Sequence, residues 1–222
     1  MNNLSSRLAA RLLALAAFSL ACPSAYPQQA NTAPEKPSPP LVTTPPDRAH
    51  WKITPNQIKK QMPADAQENP ELLEIEAWKT PSVARVIQQW GNGKASESWI
   101  ADGYLLHKFP ALPDIYVTPL SLRSSVQDDG MSDFNAVYPG FTWLDLKYYT
   151  GVIPLGGKKC HHYADPENDR EAWVDAETKA PVAYRNGASN FVYAFLAPPA
   201  QDPTMPEAFL RELQNYKKAD SQ

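Results

Sequence analysis

The fold is decided by residues 156–196, which have the sequence GGKKCHHYADPENDREAWVDAETKAPVAYRNGASNFVYAFL. Short runs with many apolar and aromatic residues alternate there with polar turns, at 165–169 and at Asn186–Gly187. Such runs favour strands, and Asp, Asn, Gly and Pro favour tight turns. The stretch therefore predicts consecutive antiparallel strands at 156–163, 170–175, 181–185 and 189–196.

A second group of strands is predicted at 72–118. Five short apolar runs follow one another there: LLEIEAW, SVARVIQQW, KASESWI, YLLHKF and DIYVTP. Asn92–Gly93 and Asp102–Gly103 separate the second run from the third and the third from the fourth. These dipeptides favour two-residue hairpin turns because both residues tolerate a positive φ. We expect a meander of adjacent antiparallel strands.

The run Val83–Trp90 places apolar residues on both of its faces. Val83 and Ile87 share one face with Arg85, whereas Ala84, Val86 and Trp90 share the other. A strand of this kind is either covered on both sides or lines a cavity. The sequence leaves both interpretations open.

Three other segments are candidate helices. Thr54 and Pro55 resemble a helix cap and first turn, which predicts a short helix at 54–62. Residues 141–149 suit a helix or a strand equally well. Residues 205–218 are amphipathic and predict a C-terminal helix whose apolar stripe contains Phe209, Leu210, Leu213 and Tyr216.

The chain divides into three predicted regions. Residues 1–21 carry Arg7, Arg11 and a short apolar run, which is typical of a signal peptide, and Ser19–Ala21 fits the cleavage pattern. Residues 22–50 hold eight prolines and predict a disordered linker. Residues 51–222 are expected to form a single antiparallel-sheet domain.

The chain is predicted to be periplasmic or secreted. Cys22 follows the cleavage pattern directly, so it is also a candidate lipidation site, although Ser19 stands where a lipobox usually has leucine. Membrane contact is expected only if Cys22 is lipidated. Without the leader the formal charge falls from −3 to −5, and an acidic chain lacks the basic surface of a nucleic-acid binder.

The adjacent residues Cys160, His161 and His162 are the obvious chemical candidates. On a strand, Cys160 and His162 share a face and are candidate ligands for zinc or copper, but a metal site needs three or four converging ligands. A cysteine nucleophile would need a histidine within hydrogen-bond reach, which sequence adjacency does not provide. A buried structural cysteine explains the pattern as well. We predict no catalytic residues, no metal and no cofactor.

Residues 157–184 resemble the outer-membrane lipoprotein carrier and sensor superfamily, the LolA/LolB-like proteins. A hairpin of that family matches at Gly157, Cys160, Tyr163, Trp173, Asp175, Glu177, Thr178 and Pro181. Lys179 and Ala180 depart from it, since the family commonly has Gly and Leu there. The resemblance implies an α+β fold in which a curved antiparallel sheet, an incomplete β-barrel, is covered by a few helices.

The resemblance also implies an exported, non-enzymatic protein that binds a lipid or a lipoprotein acyl chain. Six residues are predicted to line the apolar ligand site: Trp78, Val86, Trp90, Trp99, Leu105 and Trp173. Two alternatives stay open. One is an envelope interaction or structural module with a filled core and no ligand, for which an envelope protein is the candidate partner, and the other is a metal or thiol enzyme at Cys160 and His162.

Overall fold

Eleven strands form one antiparallel sheet in the computed structural model, which describes residues 36–56, 71–122 and 137–220. The strands are β1 (Ala49–Pro55), β2 (Leu72–Lys79), β3 (Val83–Trp90), β4 (Ala95–Ala101), β5 (Tyr104–Lys108), β6 (Ile115–Pro119), β7 (Tyr149–Leu155), β8 (Lys158–Asp165), β9 (Arg170–Asp175), β10 (Pro181–Asn186) and β11 (Ser189–Leu196). Their order in the sheet is β6-β5-β4-β3-β2-β1-β11-β10-β9-β8-β7. Because β6 and β7 are its edges, the described sheet is open, which confirms the predicted incomplete closure.

The hairpin turns follow the predicted chemistry with one difference. Asp102 and Gly103 both have positive φ, 53° and 81°, and they form the expected two-residue turn between β4 and β5. The Asn92–Gly93 turn is longer, since the Gly93 N–H donates to the Trp90 carbonyl and the Trp90 N–H to the Lys94 carbonyl. Only Gly93 has a positive φ in this loop, so the β3–β4 connection is a type I-like turn with a bulge.

Two local predictions differ from the structure. The helix start at Thr54 and Pro55 is wrong, because both residues end strand β1, which pairs with β2 and β11; residues 57–62 lie outside the described part. Pairing on both sides of β1 outweighs the local capping pattern. The ambiguous segment 141–149 contains a single-turn 3-10 helix, Leu146–Tyr148, and its last residue begins the edge strand β7.

One face of the sheet, here called the core face, carries the main apolar cluster. Strand residues of this face include Trp51, Val86, Leu105, Tyr163 and Tyr193, each at most 8% exposed. Irregular segments and single-turn 3-10 helices, rather than α-helices, cover it in the described chain, with Leu41, Val42, Tyr138, Phe141 and Trp143 packed on the cluster.

The opposite face, here called the helix face, carries the C-terminal helix α1 (Glu207–Asp220). Phe209 and Leu213 are buried against Trp99 and Leu106. Leu210 is 43% exposed, so it does not belong to the predicted apolar stripe. The helix itself is confirmed, and its Lys217 binds Asp102 at the β4–β5 turn with an Nζ–Oδ2 distance of 2.8 Å.

The turn between β9 and β10 explains the hairpin pattern seen in the sequence. The Asp175 side chain accepts hydrogen bonds from the backbone N–H groups of Glu177 and Thr178, each at 3.0 Å. Lys179 has a φ of 56°, the left-handed conformation that favours glycine. Glycine was the residue that the hairpin pattern led us to expect here, and position 179 does take a glycine-like backbone conformation although it carries lysine.

Asp175→Asn is expected to lower stability at pH 7 but much less at pH 3. The Thr178 and Glu177 N–H groups and the Lys158 ammonium hold the pKa of Asp175 below its usual value, against the opposing effect of burial. The carboxylate therefore stabilises the fold above the unfolded pKa of about 4, and this contribution is lost as the pH falls through the lower folded pKa. Denaturant unfolding of both proteins at the two pH values measures this; a pH-independent difference would contradict it.

Candidate functional site

An open cavity of about 500 Å³ lies at one end of the core face, where β3, β4 and β5 meet the β3–β4 turn and the β5–β6 connection. We call it the end cavity. Its nine lining residues are Gln88, Trp90, Asn92, Lys94, Ser96, His107, Phe109, Pro110 and Ala111. The size is that of an ordinary small-molecule pocket, about 300–1,000 Å³.

Apolar groups form one wall of the end cavity. Trp90 is half-buried at the end of β3, and Phe109, Pro110 and Ala111 follow β5 directly. The Phe109 ring meets the His107 ring edge-on at 4.1 Å and the Tyr116 ring at 5.6 Å. These contacts fix the position of an aromatic ring that is itself 45% exposed.

Polar side chains form the other wall, and the strand register places them. The β3–β4 pairing sets Gln88 opposite Ser96, whose Oγ donates to the Gln88 Oε1 at 2.9 Å. The β4–β5 pairing sets Ser98 opposite His107, with 2.6 Å between Oγ and Nδ1. At the turn, the Lys94 backbone N–H donates to the Asn92 Oδ1 at 3.0 Å. The cavity is thus amphipathic.

The centre of the core face is filled. Trp51, Tyr138, Phe141, Tyr184 and Tyr193 contact one another there through edge-on or tilted ring pairs with centroids 5.2–6.2 Å apart. The Tyr193 hydroxyl donates to the Pro139 carbonyl at 2.6 Å, and burial raises the pKa of Tyr138 to about 12. In the described chain the end cavity therefore does not extend along the middle of the sheet.

The six predicted lining residues are divided between the two faces. Val86, Trp90 and Leu105 lie on the core face, and of the six only Trp90 borders the end cavity. Trp78, Trp99 and Trp173 lie on the helix face. There Trp99 is buried under α1, Trp78 stacks on His50 at 5.0 Å, and Trp173 lies 5.0 Å from the ring of His162.

The Cys160–His161–His162 run is held by structural contacts. Burial raises the pKa of the fully buried Cys160 thiol, with the Asp175 charge adding to it, which disfavours the reactive thiolate. His162 contacts the Thr150 hydroxyl at 2.6 Å and Glu171 at 3.3 Å. Burial, followed by the Lys179 charge, lowers the pKa of His161. Among the described residues no group of three or more His, Cys, Asp or Glu side chains is placed to hold a metal ion.

Most of the end cavity was not predicted from the sequence. Gln88 and Ser96 could have been found from the predicted β3–β4 turn, because a fixed hairpin register sets them opposite each other. The run Phe109–Leu112 was a further signal, since four consecutive apolar residues directly after a strand are unusual in a solvated connection. Cys22 and residues 1–21 lie outside the described part, so the leader and the lipidation site stay predictions.

Comparison with known proteins finds distant similarities among solved structures. No protein-family model and no curated protein matches the sequence. Among solved structures, lipoprotein LppX of Mycobacterium tuberculosis matches with 9% identity and a TM-score of 0.37, over 71% of this chain and 88% of that one. A LolA superfamily protein from Nitrosomonas europaea matches with 9% identity and a TM-score of 0.32, over 72% and 90%. Neither likeness identifies a family or an activity.

Proposed function

We propose that this protein is an exported, non-enzymatic binder of one apolar or amphipathic small molecule, such as a lipid acyl chain, in the end cavity. The observation that carries the proposal is the amphipathic lining of an open space of about 500 Å³. Binding pockets combine an apolar majority of surface with a few placed polar groups in this way. Trp90, Phe109 and Pro110 would pack on the chain of the ligand.

A titration with fatty acids of increasing chain length tests this function. Each buried methylene contributes about 0.8 kcal/mol, so the affinity is expected to rise about fourfold per added carbon until the cavity is full. Tryptophan fluorescence follows binding, and Trp90→Phe identifies the part of the signal that comes from the cavity. Absence of saturable binding at every chain length would overturn the proposal.

A filled-core envelope module that binds a protein partner is the second candidate. The ring cluster of Trp51, Tyr138, Phe141, Tyr184 and Tyr193 at the centre of the core face favours it, because that cluster occupies the space that a large ligand would need. The same titration separates the two, since the module predicts no fatty-acid binding.

We place the protein in the periplasm or outside the cell, with attachment through a lipid on Cys22 as the alternative. The signal-peptide pattern of residues 1–21 supports export. Within the described residues no helix is long and apolar enough to cross a membrane. Mass spectrometry of the purified mature protein distinguishes cleavage after Ala21 from lipidation of Cys22.

A further inference from the structure

The side chains of Asn92 and Lys94 bring hydrogen-bond donors to the turn end of the cavity. The Asn92 Oδ1 accepts a hydrogen bond from the Lys94 backbone N–H at 3.0 Å. The NH₂ group of the Asn92 amide therefore points away from the Lys94 backbone. The Gln88 Oε1 likewise accepts a hydrogen bond, from the Ser96 hydroxyl at 2.9 Å. Each of the two amide oxygens on this wall thus has one of its two lone pairs engaged inside the protein.

The formal charge of the lining has one sign. Of the nine lining residues, Lys94 alone is charged at neutral pH, with histidine taken as neutral, and none is acidic. Glu71 is joined to this turn through its backbone, because its carbonyl accepts from the Gly91 N–H at 2.7 Å, but it does not line the cavity. The turn end of the cavity therefore carries a positive charge, although the protein as a whole is acidic.

We propose that the ligand of the end cavity is a single-chain amphiphile with an anionic, oxygen-rich headgroup. The headgroup accepts hydrogen bonds at Asn92 and Lys94, while the chain lies against Trp90, Phe109 and Pro110. The inference rests on the proposed function and adds the chemical class of the ligand to it. A carboxylate and a phosphate monoester both have this chemistry.

The charge at Lys94 acts on selectivity more than on total affinity. Lys94 is exposed, and an exposed ion pair contributes only about 0.2–1 kcal/mol, which corresponds to a factor of up to about five. The apolar contacts of the chain supply most of the binding energy. Salt screens the ionic part and leaves the apolar part in place.

The experiment compares three probes with the same thirteen-carbon alkyl tail: myristate, its methyl ester and tridecyl phosphate. Calorimetric titration of the full chain at low salt is expected to show myristate bound about two- to fivefold more tightly than the ester. Lys94→Gln is expected to remove this preference, so that the ratio of myristate to ester affinity falls to about one. Lys108→Gln, a matched charge loss at an exposed residue of β5 outside the cavity lining, is expected to keep it.

The outcomes distinguish a failure of this inference from a failure of the proposed function on which it rests. If none of the three probes binds, the proposed function itself fails. If all three bind and the ester equals both anions, the proposed function stands but the anionic headgroup is wrong. If Lys94→Gln keeps the preference for the anions, the headgroup does not lie at Lys94 and this inference is wrong. If the phosphate binds more tightly than myristate, the headgroup is anionic and its source is a phosphate monoester.

Discussion

Gly140→Ala is expected to destabilise the protein by about 2–5 kcal/mol. A Cβ at this position would lie 2.5 Å from Cγ and 2.6–2.7 Å from the Cδ atoms of Tyr184, and the φ of 84° is one that alanine rarely adopts. Left-handed strain contributes about 1–2 kcal/mol and overpacking about 1–3 kcal/mol. The Tyr184 ring has little room to move, because Phe191 stacks on it at 4.5 Å.

Gly93→Ala is the matched control for this prediction. Its φ is 75°, but nothing lies within 4 Å of the added Cβ, so it reports the backbone strain alone. Urea unfolding of both variants separates the two contributions, and Tyr184→Leu in the Gly140→Ala background is expected to recover part of the packing loss. Equal destabilisation by the two alanine substitutions would show that Tyr184 does not restrict this position.

Predictions from local sequence succeeded where local chemistry decides the structure. The strands from β2 to β6 and from β8 to β11 lie where apolar runs and turn dipeptides placed them, since a tight turn fixes the pairing of the two strands it joins. Strand β11 has the predicted bounds, and so does β9. In these hairpins sequence neighbours are also neighbours in the sheet, and no distant contact is needed.

Two strands were missed, for different reasons. β1 pairs with β11, from which it is separated by most of the domain, and its Pro55 resembles the first turn of a helix. β7 contains Gly151 and Pro154, which weaken the strand pattern, and it is an edge strand, where proline is tolerated. The pairing of β1 with β11 has no local turn to indicate it, whereas β7 is joined to β8 by the two-residue turn Gly156–Gly157, which the sequence pattern assigned to the start of a strand.

The candidate site was only partly predictable for a related reason. Alternation along β3 correctly places Val86 and Trp90 on the face opposite Arg85. Alternation within one strand does not show which residues of the neighbouring strands lie on that same face of the sheet. Trp78, Trp99 and Trp173 were grouped with Val86 by residue type, and the register places them on the helix face. Phe109, Pro110 and Ala111 lie in a connection, where no strand periodicity applies.

Ala111→Trp is expected to weaken fatty-acid binding more than tenfold while the fold is kept. Ala111 is exposed and lines the end cavity, so an indole there takes space from the ligand. Losing the contacts of two methylenes alone costs about 1.6 kcal/mol, which exceeds the 1.4 kcal/mol of a tenfold change. A substitution at an exposed loop position usually alters stability by no more than about 0.5 kcal/mol.

Ala188→Trp provides the comparison for this variant, because Ala188 is exposed in the β10–β11 turn and does not line the cavity. Calorimetric titration with myristate measures both proteins, and thermal unfolding checks that each is folded. Loss of binding in Ala111→Trp alone places the ligand against the β5–β6 connection. Unchanged binding in Ala111→Trp would show that the ligand does not bind in the end cavity. The proposed contact between its headgroup and Lys94 would then be wrong as well, since the chain and the headgroup of the ligand both need the space between Trp90 and Phe109.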